Sequence, residues 1–203
     1  KSEQPVLMFS LEMSKEQLVD RLLSMESAVD AWNIRTGNLS DKDFERIGEA
    51  MGHLGEAPIF IDDTPEISIS EICEKCTELK NSYDIQLVVI DYLHLVSVDS
   101  FKVETREQEL SLICRKLKTL AKELNIAIIL ISQLSRSLDS RIGSKRPQIS
   151  DLKGSGTIEE IADVVSFIYR PEYYGVTQDE EGNDNTGLTD IITLNSFLLA
   201  ISM

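Results

Sequence analysis

Three polar residues stand where apolar segments end: Glu12 after "VLMFSL", Asp91 after "LVVI" and Gln133 after "IAIILIS". A carboxylate at the end of a buried strand is what a nucleotide hydrolase uses to hold Mg²⁺ through its water shell, because the hard cation takes oxygen ligands and keeps several waters. Asp91 has that placement. A second carboxylate, Glu12, can orient or deprotonate an attacking water within hydrogen-bond reach. Gln133, both donor and acceptor, can hold that water or sense a γ-phosphate. Each also has an ordinary use: an acid after a strand caps a loop, and a glutamate ahead of a helix is favoured by the helix dipole alone.

A second group is cationic. From Arg136 to Lys153 run five basic residues, Arg136, Arg141, Lys145, Arg146 and Lys153, against two acids, Asp139 and Asp151, and Gly154 and Gly156 follow. Phosphates attract Lys and Arg, and close backbone approach needs Gly, so this segment is a candidate grip for a nucleic-acid strand. It holds few aromatics, which favours backbone tracking over base stacking. A solvated loop is the plainer alternative. The chain as a whole carries a formal net charge of −15, so its entire surface is not a nucleic-acid footprint.

The elements that must position these groups follow from periodicity. "PVLMFSLE", "PIFIDD", "IQLVVID", "IAIILISQ" and "ADVVSFIYR" are short apolar strands closing on polar residues, and a last apolar stretch begins "TDIIT". Between them lie helices: 13–27, with Ser14 and Gln17 in capping-box positions; 40–54, capped by Ser40; 68–83, opened by a Ser68–Glu71 box; and 107–124, with Leu110, Ile113, Cys114, Leu117, Leu120, Ala121 and Leu124 on one face. Strands apolar throughout and separated by amphipathic helices require a parallel sheet covered on both faces. Ligands of such sheets gather at the carboxyl ends of the strands, where Glu12, Asp91 and Gln133 fall. Irregular loops are expected at 97–106, 135–150 and 175–187.

At 203 residues, 42% of them apolar, the chain suits one sizeable α/β domain over 1–203. Cys73, Cys76 and Cys114, with no apolar run of about eighteen residues, point to a reduced, cytoplasmic setting without a membrane span. Cys73 and Cys76 share helical spacing with Ile69, Ile72 and Leu79 and have no second cysteine pair, so they are expected in the core rather than on zinc.

The words around these residues, "FSLEMSKEQLVDRLLS", "RTGNLSDKDF", "APIFIDDTP", "LVVIDYLHL", "LKTLAKELNIAIILISQLSR" and "ISDLKGSG" with "ADVVSFIYRPEYY", stand in a recognisable order. Over residues 5–190 the chain resembles the C-terminal ATPase domain of the bacterial replicative DNA helicases, the DnaB family. The resemblance implies a RecA-like P-loop NTPase core, ATP and Mg²⁺ as cofactors, and unwinding driven by translocation on single-stranded DNA. Glu12 matches the catalytic glutamate, Asp91 the Walker B aspartate that holds Mg²⁺, and Gln133 the residue coupling nucleotide state to the DNA loops. The segment with Arg136, Arg141, Lys145, Arg146, Lys153, Gly154 and Gly156 matches loops that face the channel of a homo-hexameric ring. Primase and a helicase loader are the implied protein partners.

The resemblance also breaks in places. The family's G-x-x-x-x-G-K-[ST] loop lies upstream of its "FSLEM" strand, and residues 1–203 contain no match; "RIGSKRP" lacks the framing glycine and the hydroxyl. After "TDII" the family continues into a Lys-x-Arg-x-Gly stretch supplying an arginine finger, whereas here "TLNSFLLAISM" follows, so 188–203 reads as a foreign tail. Gly154 stands where Glu is usual, Ile161 where Asp is usual and His94 where Gln is common. The expectation is a truncated ATPase domain, inactive alone because backbone donors and the loop lysine do most of the phosphate gripping. Its uncovered apolar surface should promote self-association. The alternative is a degenerate RecA-like binding or interaction module without ATPase activity. A recombinase-type or circadian-clock-type ATPase shares the strand-end acid but not "FSLEMS" or "SQLSR".

Overall fold

The computed structural model describes residues 3–99, 104–135, 137–141, 143–152, 155–178 and 181–194. The chain divides into two compact units, one formed by 1–102 with 119–131 and the other by 103–118 with 132–203.

The first unit is built on strand pairing. β1 (Val6–Ser10) leads into α1 (Lys15–Ser27), α2 (Ala31–Thr36) and α3 (Asp41–Glu56). β2 (Ile59–Asp62), α4 (Ile69–Tyr83), β3 (Leu87–Asp91), α5 (Arg106–Leu124) and β4 (Ala127–Leu130) follow. α5 contributes to both units, its residues up to Lys118 to the second and the rest to the first. The four strands form a parallel sheet in the order β2-β1-β3-β4.

Leu7, Phe9, Val88 and Ile90 are buried on one face of that sheet, with Phe9 opposite Ile90 in register. The other face is less covered. Met8 and Val89 are half-buried, and Ile129, next in register on the edge strand β4, is 52% exposed. The sequence alternates nothing here, since both faces are apolar, so uneven cover is a property of the packing and not of the strands.

Helix starts follow the caps. Ser14 with Gln17, Ser40 with Asp43, and Ser68 with Glu71 each form reciprocal capping boxes at the heads of α1, α3 and α4, satisfying amide groups that a helix leaves unpaired. α2 was not expected from periodicity: six residues are too few for an apolar stripe. Its signals are its ends, Asp30 accepting from the Trp32 and Asn33 amides and Gly37 closing the helix at φ +71°.

The second unit holds α6 (Ser137–Ser140), α7 (Ser155–Ile161), β5 (Val165–Tyr169) and β6 (Asp190–Leu194). β5 and β6 pair antiparallel, from Val165 opposite Leu194 to Tyr169 opposite Asp190, so the segment expected to repeat the parallel pattern forms a separate two-stranded sheet. The burial explains it. Val165, Phe167 and Tyr169 face inward while Ser166 and Ile168 are exposed, the alternation of a strand covered on one side. Leu152, Val165 and Phe167 form this unit's core, packed by Leu134, Ile158, Ala162, Ile192 and Leu194.

The two kinds of sheet residue should respond differently to truncation. Ile90→Ala, at a fully buried position, is expected to lower unfolding free energy by about 2–5 kcal/mol in chemical denaturation, and Ile129→Ala by less than about 1 kcal/mol.

Candidate functional site

Three neighbouring strands of the first unit end at one rim, and each end carries acids. On β1, Ser10 stands opposite Asp91 of β3, and Phe9 stands opposite Asp62 of β2. The β1–β3 ladder runs one bond further: the Leu11 amide donates to the Asp91 carbonyl at 2.8 Å. The buried Ser10 hydroxyl donates to the Met13 carbonyl at 2.8 Å and turns the chain out of the sheet. Glu12 is therefore the first residue beyond the last ladder bond, exposed, on the strand end adjoining that of Asp91.

Beyond Asp91 the backbone is pinned. The Asp91–Tyr92 peptide is cis, the buried Leu93 donates its amide to the Ile131 carbonyl at 2.9 Å, and Ile131 donates to the Ile90 carbonyl at 3.0 Å. Asp91 itself is half-buried.

The acids at this rim are not equivalent. Asp62 accepts from Lys75 Nζ at 2.5 Å and from the Thr64 amide at 2.9 Å. Burial works to raise its pKa, but the hydrogen bonds from Lys75 and Thr64 outweigh burial and hold the carboxyl below its usual range. Asp63 accepts from the Lys15 amide at 2.9 Å, anchoring the first residue of α1. The side chains of Glu12 and Asp91, by contrast, form no hydrogen bond or ion pair among the described residues. Their oxygens are the ones left to meet water, a cation or a nucleotide.

No group of three His, Cys, Asp or Glu able to enclose a metal occurs among the described residues. A single carboxylate fits Mg²⁺ held mainly by water and phosphate oxygens, and does not fit an all-protein cage. The cysteines take no part: burial pushes the Cys76 thiol up to about 12, with Cys73 adding to the effect, and burial pushes Cys114 up to about 11. Both stay protonated, as core cysteines do.

The remaining sequence candidates belong to the second unit. Gln133 is exposed and directly precedes Leu134, which bridges to Leu152. Arg136, Lys153 and Gly154 lie outside the described residues. Gly156 is exposed on α7 with open space where a Cβ would stand. The three described cations of the basic loop all have partners inside the unit. Arg141 pairs with Asp151 and donates to the Arg146 carbonyl at 3.3 Å. Lys145 donates to the carbonyls of Leu138, at 3.2 Å, and Arg141, at 2.5 Å. Arg146 pairs with Asp190 at 3.1 Å and lies over the Tyr169 ring. That last pair is open to solvent and worth roughly 0–1 kcal/mol, whereas the Asp151 side chain is 4% exposed. In the sequence Asp151 is merely one of two acids diluting a basic run; its burial and its pair with Arg141 set it apart in the structure.

A family model described as the DnaB-like helicase C terminal domain matches residues 1–195. The chain belongs to that family. It is 45% identical over 192 residues to the replicative DNA helicase DnaB of Geobacillus stearothermophilus, covering 95% of this chain and 41% of that protein. To the replicative DNA helicase DnaC of Bacillus subtilis (strain 168) it is 44% identical over 192 residues, again 95% of this chain and 41% of the relative. Among solved structures, a DnaB-like replicative helicase studied with its primase interactions superposes with a TM-score of 0.83 at 29% identity, covering 95% of this chain and 48% of that one. The chain thus spans about two fifths of the length of these curated relatives, and its fold is the RecA-like α/β fold of DnaB-type ATPase domains.

The Asp62–Lys75 pair gives a pH-dependent test. A depressed carboxyl pKa contributes stability that is full above the unfolded value, 3.8, and is lost as pH falls through the folded pKa. Lys75→Met should therefore be less stable than the unmodified chain at pH 7, and the gap should narrow as pH falls below about 4; denaturant midpoints at both pH values check it.

Proposed function

We propose that this chain is the nucleotide-hydrolysing part of a hexameric replicative DNA helicase, coupling ATP hydrolysis to translocation on single-stranded DNA. The observation that carries the proposal is the pair of unpartnered carboxylates, Glu12 and Asp91, on the ends of adjacent parallel strands. In this reading Asp91 orients the water shell of Mg²⁺ and Glu12 takes the proton of the attacking water. The bound Mg²⁺–ATP supplies the electrophilic phosphorus and neutralises its charge. Gln133 and the segment with Arg136, Arg141, Lys145, Arg146, Lys153, Gly154 and Gly156 transmit nucleotide state to the strand. Membership of the DnaB-like family and the likeness to a helicase studied with primase support the placement among replication proteins. The solved helicase studied with primase supports primase as a partner; single-stranded DNA and a loader follow from the family resemblance alone. A cytoplasmic site of action follows from the replicative role of the relatives; no helix of the described residues is long and apolar enough to cross a membrane.

A second reading, a RecA-like module that binds without hydrolysing, is favoured by two specific observations. Gly154 stands where the family usually has Glu, and each described cation of the basic loop is tied to a partner. The 203 residues alone are expected to be inactive in either reading, so steady-state ATPase assays with Mg²⁺ and single-stranded DNA separate the readings when this chain is preceded by a G-x-x-x-x-G-K-[ST] strand-and-loop unit. Glu12→Gln is expected to reduce kcat about 10²–10⁴-fold with nucleotide affinity kept, and Asp91→Asn to raise the Mg²⁺ concentration needed. Hydrolysis unaffected by Glu12→Gln contradicts the first reading; no hydrolysis even with the phosphate-gripping unit supplied supports the second.

A further inference from the structure

The strand-facing segment is fastened at one buried acid. Asp151 Oδ1 pairs with Arg141, whose other guanidinium nitrogen donates to the Arg146 carbonyl at 3.3 Å. Asp151 Oδ2 accepts from the Gln148 amide at 2.8 Å, and its backbone carbonyl accepts from the Ser135 amide at 2.6 Å. One residue thus ties together the beginning, middle and end of the loop. The next residue, Leu152, sits in the unit's core and bridges to Leu134 at the loop's base. Lys153, Gly154 and Gly156 follow directly in sequence.

We infer that Asp151 is a positioning residue for strand binding, with Arg141 acting as its tie from within the loop and not as a phosphate contact. This rests on the reading of the segment as a DNA grip. Two physical contrasts support it. The Arg141–Asp151 pair is 28% and 4% exposed, the Arg146–Asp190 pair 56% and 46%. An exposed pair exchanges readily with a phosphate, whereas releasing Arg141 would leave a buried carboxylate without its cation, which is strongly unfavourable. The Asp151 carboxylate also holds one backbone amide and one cation at once, so losing its charge loosens the loop at Gln148 and Arg141 together.

Binding of a labelled oligo-dT to the full chain, measured across a salt series, tests this. Asp151→Asn and Arg141→Gln are each expected to weaken binding about tenfold without changing the slope of log K against log salt, and the double variant should be no weaker than either single one. Arg146→Gln should instead lower that slope by about one. A neutral Asp151→Asn overturns the inference. So does tighter binding with a steeper slope, which would mean that Asp151 masks Arg141, and so do losses that multiply to about a hundredfold. Should Asp151→Asn fail to fold, Arg141→Gln decides alone: weaker binding at an unchanged slope supports the tie, a slope reduced by one overturns it. If the unmodified chain does not bind and Arg146→Gln changes nothing, the DNA-grip reading itself has failed and the inference falls with it. A neutral Asp151→Asn beside a normal Arg146→Gln response removes only the inference.

Discussion

The parallel pairing of β1 with β3 is the constraint from which the candidate chemistry follows. Backbone hydrogen bonds set Ser10 opposite Asp91 and carry the ladder to Leu11, so the chain leaves the sheet at Glu12 with two carboxylates on adjoining strand ends. Burial of Phe9 and Ile90 beneath that rim makes a register slip expensive, because moving either strand by a residue would turn its buried side chain to the other, less covered face. The apolar strands thus do more than fill a core. They set where two acids emerge.

Around that rim the protein sorts its charges by giving some of them partners. Asp62 has Lys75, and Asp63 has the first amide of α1, so neither competes strongly for a cation, while Asp91 and Glu12 keep free oxygens. The basic loop applies the same sorting to cations. Arg141 is tied to a buried acid and Lys145 to carbonyls, leaving Arg146 in an exposed and weakly held pair. In both places, the solvent exposure of a pair separates groups that hold structure from groups that can exchange partners.

Much of the first unit was legible in the sequence, and for local reasons. Ser14 with Gln17 and Ser68 with Glu71 announce helix starts because the capping box is short-range chemistry, and "LVVI" announces a buried strand because nothing in it suits water. α2 escaped because its six residues are too few to show a period, although Asp30 and Gly37 mark its ends. β5 escaped because "VVSFIY" is apolar enough to pass for a parallel strand; only pairing with β6 shows that Ile168 and Ile191 stand opposite each other in the open. The strand ends at Glu12 and Asp91 were legible because apolar segments closing on a polar residue mark them, whereas the adjacency of β1 and β3 was not, since four helices and β2 separate them in sequence. The ties of Arg141, Lys145 and Arg146 were not, since composition records charge and says nothing of which carbonyl or carboxylate lies within reach.

The proposed placement of Glu12 beside a metal held at Asp91 can be probed directly. With Fe²⁺ in place of Mg²⁺ and ATP added to this chain preceded by a phosphate-gripping loop, ascorbate-driven radicals cut the backbone close to the metal. The account predicts cuts clustered at residues 11–13 and 91–92 that disappear in Asp91→Asn. Cleavage confined to other segments, or unchanged in that variant, would contradict it.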